Sequence, residues 1–137
     1  MTDRDALAAI ATEWVSLWCA PVNWRRFDRL HAESFEDCSS AGRPSTKKGF
    51  AQGLVDLLQA FPDLQTRVED LVIDESSSKV TVRWRAEGTN RERYLGIGPT
   101  HRATSITGIE NAPSQFSAIP LITMCCKYFL KLISGNC

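Results

Sequence analysis

A chain of 137 residues in which sixteen basic side chains balance sixteen acidic ones has no cationic surface to spend on nucleic acid or an anionic membrane. Its length suits one domain that buries a core without staples, and 43% hydrophobic with 23% charged residues is ordinary globular composition. The longest apolar stretch, residues 118–133, is broken by Pro120, Lys127 and Lys131, too short and too charged to span a bilayer.

Thr2 and Asp5 are spaced as a capping box, and Leu7, Ile10, Trp14, Leu17 and Trp18 then recur at helical spacing. They predict a first helix that stops before Pro21. Asn23 can cap a short second helix with Trp24, Phe27 and Leu30 on one face. An extended piece at 34–38 and a Gly42-Arg43-Pro44 loop follow. Ser45 or Thr46 starts a third helix whose Phe50, Leu54, Leu57, Leu58 and Phe61 share a face, and Pro62 ends it.

The period then falls to two. Residues 67–73 predict a strand, and Asp74, Glu75 and the three serines after them a polar turn. Val80, Val82, Trp84 and Ala86 alternate with Thr81, Arg83, Arg85 and Glu87, the pattern of a sheet with one buried face. A glycine-rich connection, 88–99, leads to a further strand at 103–109. Helices first and antiparallel strands second is an α+β order. A helical apolar face on one concave sheet makes a cone, with Trp14, Trp18, Phe35, Phe50, Phe61 and Trp84 as candidates to line it. Core filling is the ordinary role of any single one of these aromatics, and only the architecture favours some of them as cavity wall.

Five cysteines without CxxC spacing and only two histidines offer no converging ligand set, so neither zinc nor another metal is expected, and the thiols read as free and reduced. The N-terminus lacks the basic-then-apolar order of a secretory signal, which points to the cytoplasm.

The run Leu30-His31-Ala32-Glu33-Ser34-Phe35-Glu36-Asp37, the Gly42-Arg43-Pro44 loop and the helix end Ala60-Phe61-Pro62-Asp63-Leu64 together resemble the SnoaL-like ester (polyketide) cyclase family. So do Val68-Glu69-Asp70-Leu71-Val72, the strand ending Glu87-Gly88-Thr89, and Tyr94-Leu95-Gly96-Ile97-Gly98-Pro99-Thr100. The resemblance covers about residues 7–110 in order and spacing. It implies the cone-shaped fold shared with nuclear transport factor 2, scytalone dehydratase and ketosteroid isomerase, often as a homodimer packed sheet to sheet. It also implies closure of a polyketide ring by intramolecular aldol condensation, with no metal or cofactor. Such chemistry needs a carboxylate to move a proton between carbon and oxygen, in an apolar pocket that excludes water.

Several positions depart from the family pattern. Asn90 stands where the family usually has His after Gly-Thr, Cys38 follows Asp37 where a His is common, and His101-Arg102 fills a turn that normally begins with Gly. A non-glycine residue there is strained if the turn needs a positive φ. After Glu110 the chain contains no Asp or Glu, so the family's C-terminal catalytic Asp is missing. Residues 1–110 therefore read as the domain and 111–137 as an atypical tail. In the tail Leu121, Cys125, Tyr128, Phe129 and Leu132 sit at helical spacing between Pro120 and Gly135. Either an altered reading frame or a variant end would account for it, and the strand at 103–109 would be left as an edge.

Two functions stay open at this level. One is a cyclase or isomerase acting on a small apolar, polyketide-like molecule, with Asp37, Asn90 and His101 as catalytic candidates. Trp14, Trp18, Phe35, Phe50, Phe61, Trp84, Arg91 and Leu95 would then bind substrate. The other is a non-catalytic ligand-binding or dimerisation domain of the same fold. His31, at a helix end, reads as structural, and Glu33 and Glu36 as surface charges. A carboxylate facing an apolar pocket would separate the two functions.

Overall fold

Three helices precede three strands: α1 (Asp3–Val15), α2 (Trp24–Leu30), α3 (Lys47–Ala60), β1 (Gln65–Asp74), β2 (Lys79–Thr89) and β3 (Ala103–Pro113). The computed structural model describes residues 3–37 and 42–113, with side chains through Glu110. The expected Thr2 cap, Cys38 and the helix in the tail lie outside the described residues.

The helix faces follow the sequence pattern with two corrections. In α3 the Thr46 side chain accepts from the Gly49 N–H at 3.1 Å, and Phe50, Leu54, Leu57, Leu58 and Phe61 are all buried. In α2 Asn23 Oδ1 accepts from the Arg26 N–H at 3.0 Å; Phe27 and Leu30 are buried, but Trp24 is 42% exposed and covers Phe27 only from its edge. The first helix ends at Val15, well short of Pro21. There the bonding tightens to Leu17 N–H on the Trp14 carbonyl (3.1 Å) and Trp18 N–H on the Val15 carbonyl (3.2 Å). Tightening to three residues per turn keeps Trp14 and Leu17, and Val15 and Trp18, one above the other.

The sheet is antiparallel in the order β1-β2-β3. Among the described residues β3 is therefore an outer strand, and it runs four residues past the expected end at Ile109. Asp74 closes the β1–β2 hairpin by accepting from the Ser76 and Ser77 hydroxyls, both at 2.6 Å, and these bonds hold its carboxyl down at about 2. A register shift between Val68 and Asp70 bulges β1 and adds local twist, the curvature a sheet needs to wrap a helix. On the inner face Val80, Val82, Trp84 and Ala86 are all buried. The outer face carries Arg83, Glu87, Val72 and Ile109, the last two 65% and 54% exposed.

Candidate functional site

An apolar cavity lies between the helices and the concave face of the sheet. Trp14, Val15 and Trp18 close it from the end of α1, and Leu57, Phe61 and Leu64 from α3 and its exit. The sheet supplies Thr66 from β1, Trp84, Ala86 and Gly88 from β2, and Thr104, Ile106 and Glu110 from β3. The cavity proper is about 30 Å³ within roughly 500 Å³ of empty space that includes its solvent-facing part, so it is narrow. Gly88 and Thr104 also border a shallower cleft with Asp63 and Thr89.

The register explains why these sheet residues converge. Val82 is opposite Glu110, Trp84 opposite Gly108, Ala86 opposite Ile106 and Gly88 opposite Thr104. Directly opposed residues share a face, so Thr104, Ile106, Gly108 and Glu110 form the inward row of β3. Glu110 is only 4% exposed and is the one carboxylate among the lining residues. The strand expected at 103–109 stops one residue before Glu110, whereas β3 carries it. Period-two counting from Ile106 would have placed it inside.

Of the aromatics expected to line the cone, Trp14, Trp18, Phe61 and Trp84 reach the cavity, whereas Phe35 and Phe50 do not. These two instead surround His31, with ring centroids 4.8 and 5.2 Å from the imidazole, while Phe27 stacks on it at 4.3 Å. His31 is 1% exposed, its Nδ1–H donates to the Phe27 carbonyl at 2.8 Å, and burial pulls its pKa down to about 4. Tyr94 packs behind Phe61 at 6.0 Å, and burial pushes its phenol up to about 12.

The polar candidates are also placed away from the cavity. Asp37 is fully buried at the side chain, where its Oδ2 accepts from Arg43 Nη2 at 3.0 Å, and its backbone N–H donates to the Ser45 carbonyl. That pair pins the Gly42-Arg43-Pro44 loop to the extended segment before it. Asn90 is buried because it organises the loop ahead of β3. Its Oδ1 accepts from the Thr100 N–H at 2.6 Å and its Nδ2 donates to the Glu92 carbonyl at 3.0 Å. Arg91 donates its backbone N–H to the Ala60 carbonyl while its side chain stays exposed. Leu95 is 39% exposed at the tip of the Tyr94–Ile97 turn, on a positive φ of 48°.

His101 is exposed and takes φ 54°, so the turn does require the left-handed conformation that glycine adopts freely. Replacing His101 by Gly is expected to stabilise the domain by about 0.5–1 kcal/mol in urea unfolding, because the side chain contributes only strain there. A loss of stability would show that the imidazole makes a contact worth more than the strain. Among the described residues no cluster of three His, Cys, Asp or Glu side chains is placed to hold a metal, and Cys19 is an exposed free thiol. No helix among them is long and apolar enough to cross a membrane.

Helices plugging a curved antiparallel sheet around an apolar cavity define an NTF2-like α+β domain. The profile of the SnoaL-like polyketide cyclases matches residues 8–112, and the chain belongs to that family. TsrD from Streptomyces laurentii superimposes with a TM-score of 0.75 at 15% identity, over 93% of this chain and 92% of that one. A candidate polyketide cyclase from Bacillus cereus gives 0.71 at 17% identity, over 93% and 79% of the two chains. IdmH, a candidate polyketide cyclase from Streptomyces antibioticus, gives 0.70 at 18% identity, over 88% and 91%. At these identities the likeness is one of fold. No curated protein sequence matches the chain.

Proposed function

We propose that this domain binds a small, flat, apolar molecule of polyketide-like character in the cavity, and that Glu110 is its general acid/base. The observation that carries this reading is a single buried carboxylate in an otherwise almost wholly apolar wall. A carboxylate there can take the proton from a carbon next to a carbonyl, leaving an enolate whose carbon attacks a second carbonyl of the same molecule. One C–C bond forms, and the proton returns from Glu110 to the new alkoxide, so atoms and electrons balance without a redox partner. The apolar walls keep water from quenching the enolate and strengthen each electrostatic contact inside. Membership of a cyclase family supports the reaction class, and the narrowness of the cavity favours a planar ring.

The second reading is a ligand-binding domain of the same fold without chemistry.

The two are separated by 2-tetralone, a flat bicyclic ketone with an acidic C1–H. In D2O the wild-type chain is expected to accelerate C1 exchange, followed by NMR. Glu110→Gln, which keeps the size and loses the base, is expected to lower that acceleration at least ~100-fold with binding changed only a few-fold. Binding of 2-tetralone without faster exchange would make the non-catalytic reading the right one. Equal exchange by wild type and variant would remove Glu110 from the mechanism.

A further inference from the structure

The hydroxyls in the cavity wall are already engaged within the chain. Thr66 Oγ1 donates to the Trp18 carbonyl at 3.2 Å, and Thr104 Oγ1 to the Arg102 carbonyl at 3.5 Å. Trp14 is different. It lines the cavity and is 4% exposed, yet its buried indole N–H has no acceptor among the described residues. Burying such a donor unmet is costly, and a phenylalanine would fill much of the same volume without that cost. A polar group left in this condition calls for an explanation.

Packing holds the indole in place. Trp14 stands edge to face with Trp18, centroids 5.4 Å apart at 72°, and Trp18 in turn meets Phe50 at 5.6 Å and 78°. The last residue of α1, Val15, fixes the backbone beside it and is itself 2% exposed. A ring so confined presents its N–H in one direction, at no further entropic cost when an acceptor arrives. An indole nitrogen donates and cannot accept, so the group it selects must be an acceptor oxygen.

We propose that Trp14 Nε1–H donates a hydrogen bond to a carbonyl oxygen of the bound molecule, which makes apolar ring ketones, not hydrocarbons of the same shape, the class this cavity prefers. The catalytic side of the inference rests on the acid/base reading of Glu110. When Glu110 takes the adjacent proton, the carbonyl oxygen becomes an enolate oxygen, and a hydrogen bond to it strengthens as the charge develops. Trp14 then fixes which carbonyl is enolised and Glu110 which proton leaves.

The test uses the full chain with 2-tetralone and its hydrocarbon counterpart tetralin. In the 15N-labelled wild type, the Trp14 indole N–H resonance is expected to move downfield on saturation with 2-tetralone and not with tetralin. The ratio of ketone to hydrocarbon affinity is expected to be about five- to tenfold higher in the wild type than in Trp14→Phe. An unmoved Trp14 resonance at saturation overturns the proposal, even if the variant fails to fold. So does an unchanged affinity ratio in a folded Trp14→Phe. A shifted resonance combined with exchange that survives Glu110→Gln keeps the Trp14 contact and defeats only the acid/base reading. Failure of both probes to bind the wild type overturns the two together.

Discussion

Replacing Gly108 by alanine is expected to destabilise the domain by about 3 kcal/mol, an effect at the upper end for overpacking a core. Gly108 sits opposite Trp84 on the neighbouring strand, and the indole folds across the space its missing side chain leaves. A Cβ there would stand 2.6 Å from Trp84 Cε2 and 3.0 Å from Cη2, with Cζ2 closer still. Neither partner can yield easily. Trp84 is 5% exposed and forms part of the cavity wall, while Gly108 lies between the inward-facing Ile106 and Glu110. The indole must therefore leave its rotamer or the β2–β3 ladder must part. Urea unfolding of Gly108→Ala measures the cost, and the same substitution in a Trp84→Leu background identifies its source. With the indole gone, the alanine is expected to cost less than about 1 kcal/mol, a coupling that distant sites do not show. An equal cost in both backgrounds would falsify the indole clash. Because Trp84 is also the wall beside Glu110, Gly108→Ala is expected to weaken 2-tetralone binding in parallel.

What the sequence made legible was whatever a local period encodes. The α3 face from Phe50 to Phe61 and the β2 row from Val80 to Ala86 are buried as their spacing requires, since each pattern depends only on neighbours along the chain. The caps at Asn23 and Thr46 were readable for the same reason. The cone follows from packing a helical apolar face on a concave sheet, and the family resemblance implies the same shape. What stayed hidden depends on contacts distant in sequence. Nothing in a run of aromatics says that Phe35 and Phe50 gather around His31 while Phe61 and Trp84 turn to the cavity. Asn90 looked like a replaced catalytic group, and it is buried because loop backbone groups at Glu92 and Thr100 need its amide. Glu110 was missed through a boundary. The sequence pattern ends the last strand at Ile109, whereas its ladder with β2 runs on to Pro113 and carries Glu110, the one carboxylate among the cavity-lining residues, on the inward row.

His31 makes the stability of this domain depend on pH in a way its surface charges would not suggest. The imidazole is packed among Phe27, Phe35 and Phe50, and its Nδ1–H is bonded to the Phe27 carbonyl, so the ring is neutral with Nε2 as the lone-pair nitrogen. Nε2 has no hydrogen-bond partner among the described residues, so a proton added there would be a buried, unmet donor on a buried cation. Burial is the main cause that lowers the pKa from 6.5 to about 4; the Lys47 ammonium on α3 adds to it, while the Phe27 carbonyl and the Asp28 carboxylate on α2 oppose it. The folded pKa lies below the unfolded one, so between pH 6.5 and 4 the unfolded chain binds more protons than the native one. Stability from this group is then fully present above about pH 6.5 and is lost as the pH falls toward 4. At about 1.4 kcal/mol per unit the gap amounts to about 3 kcal/mol, most of it gone by roughly pH 4.5. Carboxylates also titrate near the bottom of this range, so the measurement is a comparison. Urea unfolding of wild type and His31→Gln at pH 7.5 and 4.5 is expected to show the wild type losing about 2–3 kcal/mol more than the variant. Glutamine keeps a donor for the Phe27 carbonyl and cannot charge, so equal losses in the two proteins would mean that the imidazole is protonated in the native core or that water reaches it. Because the ring locks α2 and α3 to the segment that carries Asp37, acid is expected to loosen that end of the domain first, with the sheet and its cavity following.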